Sequence, residues 1–167
     1  MITLVLGGAR SGKSEAAERL AARLGGAVTF MATGTAVDAM GTDEDMAERI
    51  AAHRRRRPRS WSTLEVEDDL VGALGHVDGP VLVDALGTWL ARRDHFQVDA
   101  GGLCRALSSR RGDTVVVSEE VGLGVHPTSD TGRRFRDALG SLNQQVAAVA
   151  DDVLLVVAGR VLPLGRP

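Results

Sequence analysis

The chain of 167 residues contains one cysteine, one lysine and no tyrosine, and only 3% of its residues are aromatic. The single cysteine, Cys104, excludes an internal disulfide and a zinc site built from cysteines, and we expect it to be a small buried apolar residue. The scarcity of aromatic side chains argues against a surface that stacks the bases of a single strand. With no disulfides or zinc ligands of this kind, packing alone must hold the fold.

Long apolar stretches and a basic leader are also missing. Runs such as residues 153–158 are far shorter than the ~20 residues needed to cross a bilayer. Met1 leads directly into an apolar segment. We therefore expect a cytoplasmic protein without a membrane span. The composition, 44% hydrophobic and 25% charged with a net charge of −2, indicates one globular domain over residues 1–167.

Short β-rich runs alternate with helical patterns along the chain. This alternation predicts an α/β fold of three layers, in which helices cover both faces of a mostly parallel central sheet. We predict strands over 2–6, 27–32, 62–66, 80–84, 114–118 and 152–158. We predict helices over 14–24, 43–55, 67–74, 88–93, 102–110 and 132–150. A short turn at Gly159 and Arg160 should then add an antiparallel edge strand over 161–164.

The only lysine, Lys13, lies in a glycine-rich segment between the first predicted strand and helix. Residues 7–14 read Gly-Gly-Ala-Arg-Ser-Gly-Lys-Ser and match the phosphate-loop pattern G-x-x-x-x-G-K-S. Such a loop directs backbone N–H groups at phosphate oxygens, its lysine reaches the β and γ phosphates, and the hydroxyl of Ser14 is a predicted Mg²⁺ ligand. We expect an exposed Lys13 that contributes little to packing. The flanking strand and helix disfavour the alternative, a turn that binds nothing.

An acidic residue, Asp84, ends the strand predicted over 80–84. A carboxylate at the end of a buried strand is typical of the second acidic element that holds Mg²⁺ or its water in phosphate-loop enzymes. The alternative is that Asp84 caps the following helix. The presence of a phosphate loop favours the metal role.

Six arginines lie between Arg49 and Arg59, in a chain whose net charge is negative. A helix continuing from the preceding segment would place Arg49, His53 and Arg57 on one face. Clustered guanidiniums bind phosphate oxygens, so this run reads as a second anion-binding element. A solvated basic face or a nucleic-acid surface would have the same sequence. The negative net charge and the scarcity of aromatics argue against nucleic acid.

His53 lies inside this arginine run. Surrounding positive charge favours a neutral imidazole near physiological pH, and a neutral imidazole is a nucleophile. Facing a nucleoside triphosphate, it would attack the α phosphorus, expel pyrophosphate and carry a nucleotidyl group. A surface or hydrogen-bonding histidine is the alternative that the residues leave open.

Together these segments resemble a known family, the bifunctional adenosylcobinamide kinases and adenosylcobinamide-phosphate guanylyltransferases of cobalamin biosynthesis. The resemblance covers nearly the whole chain. It is carried by the loop over 6–14, by Ala32-Thr33, by the block over 49–61 around His53, by Ser118-Glu119-Glu120-Val121-Gly122-Leu123-Gly124-Val125, and by the run over 135–151. The phosphate loop is common to many enzymes, whereas the three blocks together are specific.

The resemblance implies a P-loop NTPase fold of the recombinase-like branch, with GTP, ATP and Mg²⁺ as cofactors. It implies adenosylcobinamide and its phosphate as substrates, and a homo-oligomer for which we expect a trimer. His53 would form the covalent GMP intermediate and Lys13 would serve the kinase step, while Ser14 and Asp84 would hold the metal. The implied nucleotide-binding residues are Gly8, Ala9, Arg10, Ser11, Gly12, Lys13, Ser14, Glu15, Ala32, Thr33, Gly34, Arg54, Arg55, Arg56, Arg57, Glu65 and Asp84.

Two positions depart from the family pattern. Asp84 stands where many relatives have Glu, and Glu119 stands where many have Asn, which makes the pocket after that strand more acidic.

Two other functions would also use a phosphate loop. A GTP-binding switch reads guanine with an Asn-Lys-x-Asp element, for which this chain has no second lysine. A nucleic-acid motor would need a further domain for its track, which this length does not provide.

Overall fold

The computed structural model describes residues 1–34 and 58–166. Seven strands form one sheet: β1 Ile2–Gly7, β2 Thr29–Ala32, β3 Ser62–Glu65, β4 Val81–Asp84, β5 Thr114–Glu119, β6 Asp152–Val157 and β7 Arg160–Pro163. The helices in the described ranges are α1 Lys13–Arg23, α2 Leu70–His76, α3 Leu86–Ala91, α4 Ala100–Ser109 and α5 Asp130–Val149, with a 3₁₀ turn at Asp94–Phe96. The helix predicted over 43–55 lies outside the described residues.

The strand order is β3-β2-β4-β5-β1-β6-β7. All neighbouring strands are parallel except β6 and β7, which pair antiparallel. The predicted mostly parallel sheet with an antiparallel C-terminal edge strand is therefore confirmed. A parallel arrangement places the carboxyl ends of β1 to β6 on one edge of the sheet, where loops of an open α/β sheet bind ligands.

Apolar side chains fill both faces of the sheet and create the three layers. On one face, Ala16, Ala17 and Ala21 of α1 pack with Val5 and its neighbours. On the other, leucines of α2, α3, α4 and α5 pack with Leu4 and the strands beside it. The central strands β4 and β5 have continuous buried apolar runs, as expected for parallel strands covered on both sides.

Two helices begin earlier than the glycine at which the sequence analysis starts each of them. The helices predicted from Gly102 and Gly132 begin at Ala100 and Asp130. The reason is N-capping, because Asp99 and Ser129 accept hydrogen bonds from the backbone N–H groups of Gly102 and Gly132. In α2, by contrast, the cap Asp69 sets a start at Leu70, later than the predicted residue 67.

Among the helices described, none is long and apolar enough to cross a membrane.

Candidate active site

The candidate site lies at the carboxyl edge of the sheet, where the ends of five parallel strands meet. In the strand register, Gly7 at the end of β1 is opposite Glu119 at the end of β5. Ala32 at the end of β2 is opposite both Asp84 of β4 and Glu65 of β3. The sheet therefore places the predicted phosphate loop and three carboxylate-bearing strand ends along one edge.

The phosphate loop joins β1 to α1, which begins at Lys13. Gly12 precedes the helix with a φ of 90°, a left-handed conformation that favours glycine, and Arg10 also has a positive φ of 55°. The backbone N–H of Lys13 donates to Ser11 Oγ at 3.3 Å. The amino end of α1 therefore faces the space above the loop, which is the arrangement that binds anions.

The turn between β6 and β7 packs against this loop from the side. The backbone N–H of Gly159 donates to the carbonyl of Ser11 at 2.8 Å. A Cβ on Gly12 would lie 3.3 Å from Gly159 Cα, and a Cβ on Gly7 would lie 2.9 Å from the carbonyl oxygen of Val156. Close approach of the Val156 carbonyl thus favours glycine at position 7, whereas at position 12 both the left-handed backbone and the approach of Gly159 favour it.

Ser14 and Asp84, the two predicted metal ligands, lie next to each other. The Ser14 hydroxyl donates to Asp84 Oδ1 at 3.3 Å, and both side chains are half-buried. Asp84 lies one residue too early to cap α3, whose cap position is Ala85 and whose first turn is closed by the Thr88 hydroxyl. A hydroxyl and a carboxylate oxygen are ligands that suit Mg²⁺.

These two oxygens would make only part of a coordination shell. In residues 1–34 and 58–166, no group of three or more His, Cys, Asp or Glu side chains is arranged to hold a metal ion. Mg²⁺ generally keeps several waters and is held by one or two protein ligands together with the phosphates of its substrate. The donor set therefore fits a metal ion that arrives with a nucleotide.

The sequence predicts an exposed Lys13, and this prediction is wrong. Its side chain is 11% exposed, and its Nζ lies 3.5 Å from Glu119 Oε1. The same nitrogen lies 3.5 Å from the carbonyl oxygen of Gly8. The ammonium is held over the loop by a carboxylate from the neighbouring strand because β5 pairs directly with β1.

Thr33 is fully buried directly after β2. Its hydroxyl donates to the carbonyl of Ala85 at 2.6 Å and accepts from the backbone N–H of Ala85 at 2.8 Å. It also lies 2.8 Å from Thr88 Oγ1. These bonds join the end of β2 to the corner between β4 and α3, and they fix the backbone that carries Asp84.

The other predicted site residues have different surroundings. Glu15 is exposed and pairs with Arg19 on α1, and Glu65 is exposed at the end of β3. Ala9, Arg10 and Gly34 are exposed beside the site. His53 and the guanidiniums of Arg54, Arg55, Arg56 and Arg57 lie outside the described residues.

Glu119 is a residue that sequence reasoning left out of the site. The signal available in the sequence is the departure from the family pattern that the resemblance implies at this position. A buried pair holds its backbone in place, because Ser118 Oγ donates to Asn143 Oδ1 at 2.6 Å and Asn143 Nδ2 donates to the carbonyl of Glu119 at 3.0 Å. The end of β5 is therefore rigidly placed beside the loop.

A parallel sheet with this loop, its lysine and an opposed serine and aspartate defines a phosphate-loop nucleotide-binding enzyme. The family described as cobinamide kinase / cobinamide phosphate guanyltransferase matches residues 3–164, and the chain belongs to this family of bifunctional enzymes.

Curated relatives match along their whole length. The bifunctional adenosylcobalamin biosynthesis protein CobP of Pseudomonas aeruginosa is 41% identical over 177 residues, which cover 100% of this chain and 99% of the relative. The corresponding protein CobU of Escherichia coli is 34% identical, over 95% of this chain and 97% of the relative. Among solved structures, the flagellar accessory protein FlaH of Methanocaldococcus jannaschii has a TM-score of 0.49 and 13% identity, over 96% of this chain and 74% of that chain.

Proposed function

We propose that this protein phosphorylates adenosylcobinamide with ATP or GTP and then transfers GMP from GTP to the new phosphate, giving adenosylcobinamide-GDP. The observation that carries the proposal is the half-buried contact between Ser14 on the phosphate loop and Asp84 at the end of β4, beside the Lys13 ammonium. Membership in the cobinamide kinase family supplies the substrate class. The two activities use different parts of the chain.

The kinase step would depend on positioning and charge. Backbone N–H groups of Gly8, Ala9, Arg10, Ser11, Gly12, Lys13, Ser14 and Glu15 would surround the triphosphate, with the amino end of α1 directed at it. The Lys13 ammonium would stabilise charge that develops on the transferring γ-phosphoryl group. Ser14 and Asp84 would hold Mg²⁺, which supplies neutralisation of the phosphate charge.

The guanylyl step would use His53 as a nucleophile. Its imidazole would attack the α phosphorus of GTP, release pyrophosphate and hold GMP as a phosphoramidate until the substrate phosphate displaces it. Arg54, Arg55, Arg56 and Arg57 would offset the negative charge of the two phosphate groups that must approach each other. Ala32, Thr33, Gly34 and Glu65 would contact nucleotide from the ends of β2 and β3.

We also propose a homo-oligomer, with a trimer expected. The edge strand β7 supports it, because Val161, Leu162 and Leu164 are 47%, 57% and 40% exposed at the end of the sheet. Apolar side chains on an unpaired edge favour association with another chain. Light scattering of the purified protein gives the mass of the assembly, and a monomer at all concentrations would contradict this part of the proposal.

Two labels test the two activities separately. With γ-labelled ATP, Mg²⁺ and adenosylcobinamide, label should appear on the corrinoid. With α-labelled GTP and Mg²⁺ alone, label should appear on the protein and be labile in acid but stable in alkali, as expected of a phosphoramidate. Absence of corrinoid label would contradict the kinase assignment, and absence of protein label would contradict the covalent mechanism.

A further inference from the structure

Glu119 is the carboxylate closest to the phosphate-loop lysine among the ion pairs of the described residues. It is the last residue of β5 and stands opposite Gly7, the residue at which β1 enters the loop. Its Oε1 lies 3.5 Å from Lys13 Nζ, and its side chain is 26% exposed. Because Lys13 reaches the β and γ phosphates in a loop of this type, a group in contact with its ammonium is close to the transferring phosphoryl group.

The second carboxylate oxygen is left unpaired in the described part of the chain. Glu119 Oε2 is buried and has no hydrogen-bond partner among residues 1–34 and 58–166. A buried acceptor without a partner costs stability, so a half-satisfied carboxylate at this point calls for an explanation beyond packing. The terminal torsion of a glutamate is broad and roughly two-fold, so either oxygen is able to face the loop.

The fold makes room for this carboxylate on α3. A Cβ built on Gly87 would collide with Glu119 Oε2 and lie 2.9 Å from its Cδ. Gly87 is buried in the first turn of α3. Glycine at this position leaves space for the carboxylate that the side chain of any other residue would fill.

We propose that Glu119 is a catalytic residue of the kinase step and accepts the proton of the acceptor hydroxyl. This inference rests on the proposed kinase function. The hydroxyl oxygen bonds to the γ phosphorus while the bond from that phosphorus to the β–γ bridging oxygen breaks. The nucleoside diphosphate leaves with the electron pair, and the hydroxyl proton passes to the Glu119 carboxylate. Protein kinases use a carboxylate in this role, since an aspartate of their catalytic loop accepts the proton of the substrate hydroxyl.

The competing role is that Glu119 only tethers Lys13. Three substitutions separate the roles: Glu119→Gln keeps the size of the side chain and removes the base, Glu119→Asp keeps the base and shortens the side chain, and Glu119→Asn shortens the side chain and removes the base. Asp113→Asn is the matched control, because Asp113 precedes β5 at the opposite edge of the sheet and pairs with the N-terminus. Thermal melts establish that each protein is folded.

For a proton acceptor, kcat of adenosylcobinamide phosphorylation should fall about 100-fold or more in Glu119→Gln, within the range of general-base effects. The dissociation constant of a fluorescent ATP analogue should stay within about threefold of wild type, since nucleotide contacts remain. Glu119→Asp should retain more activity than Glu119→Gln or Glu119→Asn. Covalent labelling by α-labelled GTP should persist in all of them.

Gly87→Ala tests the same carboxylate without changing it. The new methyl group displaces the flexible end of Glu119, so kcat should fall while the melting temperature stays near that of wild type. Kinase activity within threefold of wild type in Glu119→Gln, or Glu119→Gln more active than Glu119→Asp, would overturn the inference. A wild-type protein that does not phosphorylate adenosylcobinamide would instead contradict the proposed function. The kinase assay of the wild-type protein therefore distinguishes failure of the proposed function from failure of this inference.

Discussion

The Ser14 hydroxyl lies 3.3 Å from Asp84 Oδ1, across 70 positions of the sequence. One oxygen comes from the first turn of α1 and the other from the end of β4. In the sheet, β5 lies between β4 and β1, the strand that leads into α1. Two side chains so far apart in the chain form a joint site only because parallel strands end at the same edge. This contact is the basis for the metal-dependent part of the proposed mechanism.

Asp84→Asn should weaken the response of the phosphorylation rate to a given concentration of Mg²⁺. The amide keeps the size of the side chain but removes the charge that would hold the ion, so the Mg²⁺ concentration for half-maximal rate should rise roughly 10- to 100-fold. Titration of the rate with Mg²⁺ at saturating nucleotide measures it. Asp137→Asn, which removes an exposed partner of Arg136, serves as the control. An unchanged titration would leave Asp84 without a metal role.

Lys13→Ala should lower phosphoryl transfer about 1,000-fold, because a charge that stabilises the transferring group is lost. It should also lower the free energy of unfolding by about 1–3 kcal/mol, since Glu119 then lacks its cation. Adding Glu119→Gln should recover the stability but not the activity, as measured by denaturant titration. Lys13→Arg keeps the charge and should keep most of the stability. A double variant as unstable as Lys13→Ala would argue against the pairing.

His53→Ala should lose covalent GMP and all guanylyl transfer while phosphorylation of adenosylcobinamide persists. Arginine remains protonated, so the neighbouring guanidiniums have no lone pair with which to replace the imidazole. Direct γ-phosphoryl transfer needs no enzyme nucleophile. Gel detection of protein label from α-labelled GTP, alongside the kinase assay, makes the measurement. Label retained on the variant would identify a different nucleophile.

Ala158→Asn should stabilise the turn that packs against the phosphate loop. Ala158 and Gly159 are the two central residues of the β6–β7 hairpin and have φ values of 50° and 73°. A positive φ costs alanine roughly 1 kcal/mol, whereas asparagine is favoured in such turns. The melting temperature should rise by about 2–4 °C. Ala158→Val should lower it, and a stable valine variant would contradict the reasoning.

Cys104 should react slowly with thiol reagents in the folded protein. Burial between α4 and α5 raises the pKa of the Cys104 thiol, with Arg105 partly opposing the shift. The thiolate fraction near pH 8 is therefore smaller in the folded protein than in the unfolded chain. The folded protein should react with an aromatic disulfide at least about tenfold more slowly than the protein unfolded in urea. Because the folded thiol holds its proton more tightly, its contribution to stability is complete below the unfolded pKa. It is lost as pH rises through the folded pKa.

Cys104 is partly buried, less than the fully buried position that the sequence predicts. Equal labelling rates in folded and unfolded protein would contradict this partial burial. Cys104→Ala is the control for function, since Cys104 Sγ contacts the carbonyl of Gln145 and lies on α4, away from the loop. Its kinase activity should match that of wild type.

The elements of the fold were predictable because each has a local signature. The strands of β4 and β5 read as short continuous apolar runs, and the seven predicted strands match the sheet to within a few residues. Helix starts were less accurate because a capping side chain, such as Asp99 or Ser129, outweighs the glycine that follows it. The cap is visible in the sequence, but only the backbone geometry shows which candidate is used.

By itself the sequence determined the phosphate loop and the alternation of strands and helices, since both depend on residues close together in the chain. The role proposed for Lys13 in that loop rests on the spacing of glycines, lysine and serine. Strand order and side-chain contacts were decided only by the tertiary structure. Strand β5 lies between β1 and β4. This position places Glu119 in contact with Lys13 and places the Glu119 carboxylate against Gly87. No local pattern encodes that order, because pairing of distant parallel strands depends on how the helices between them pack on the sheet.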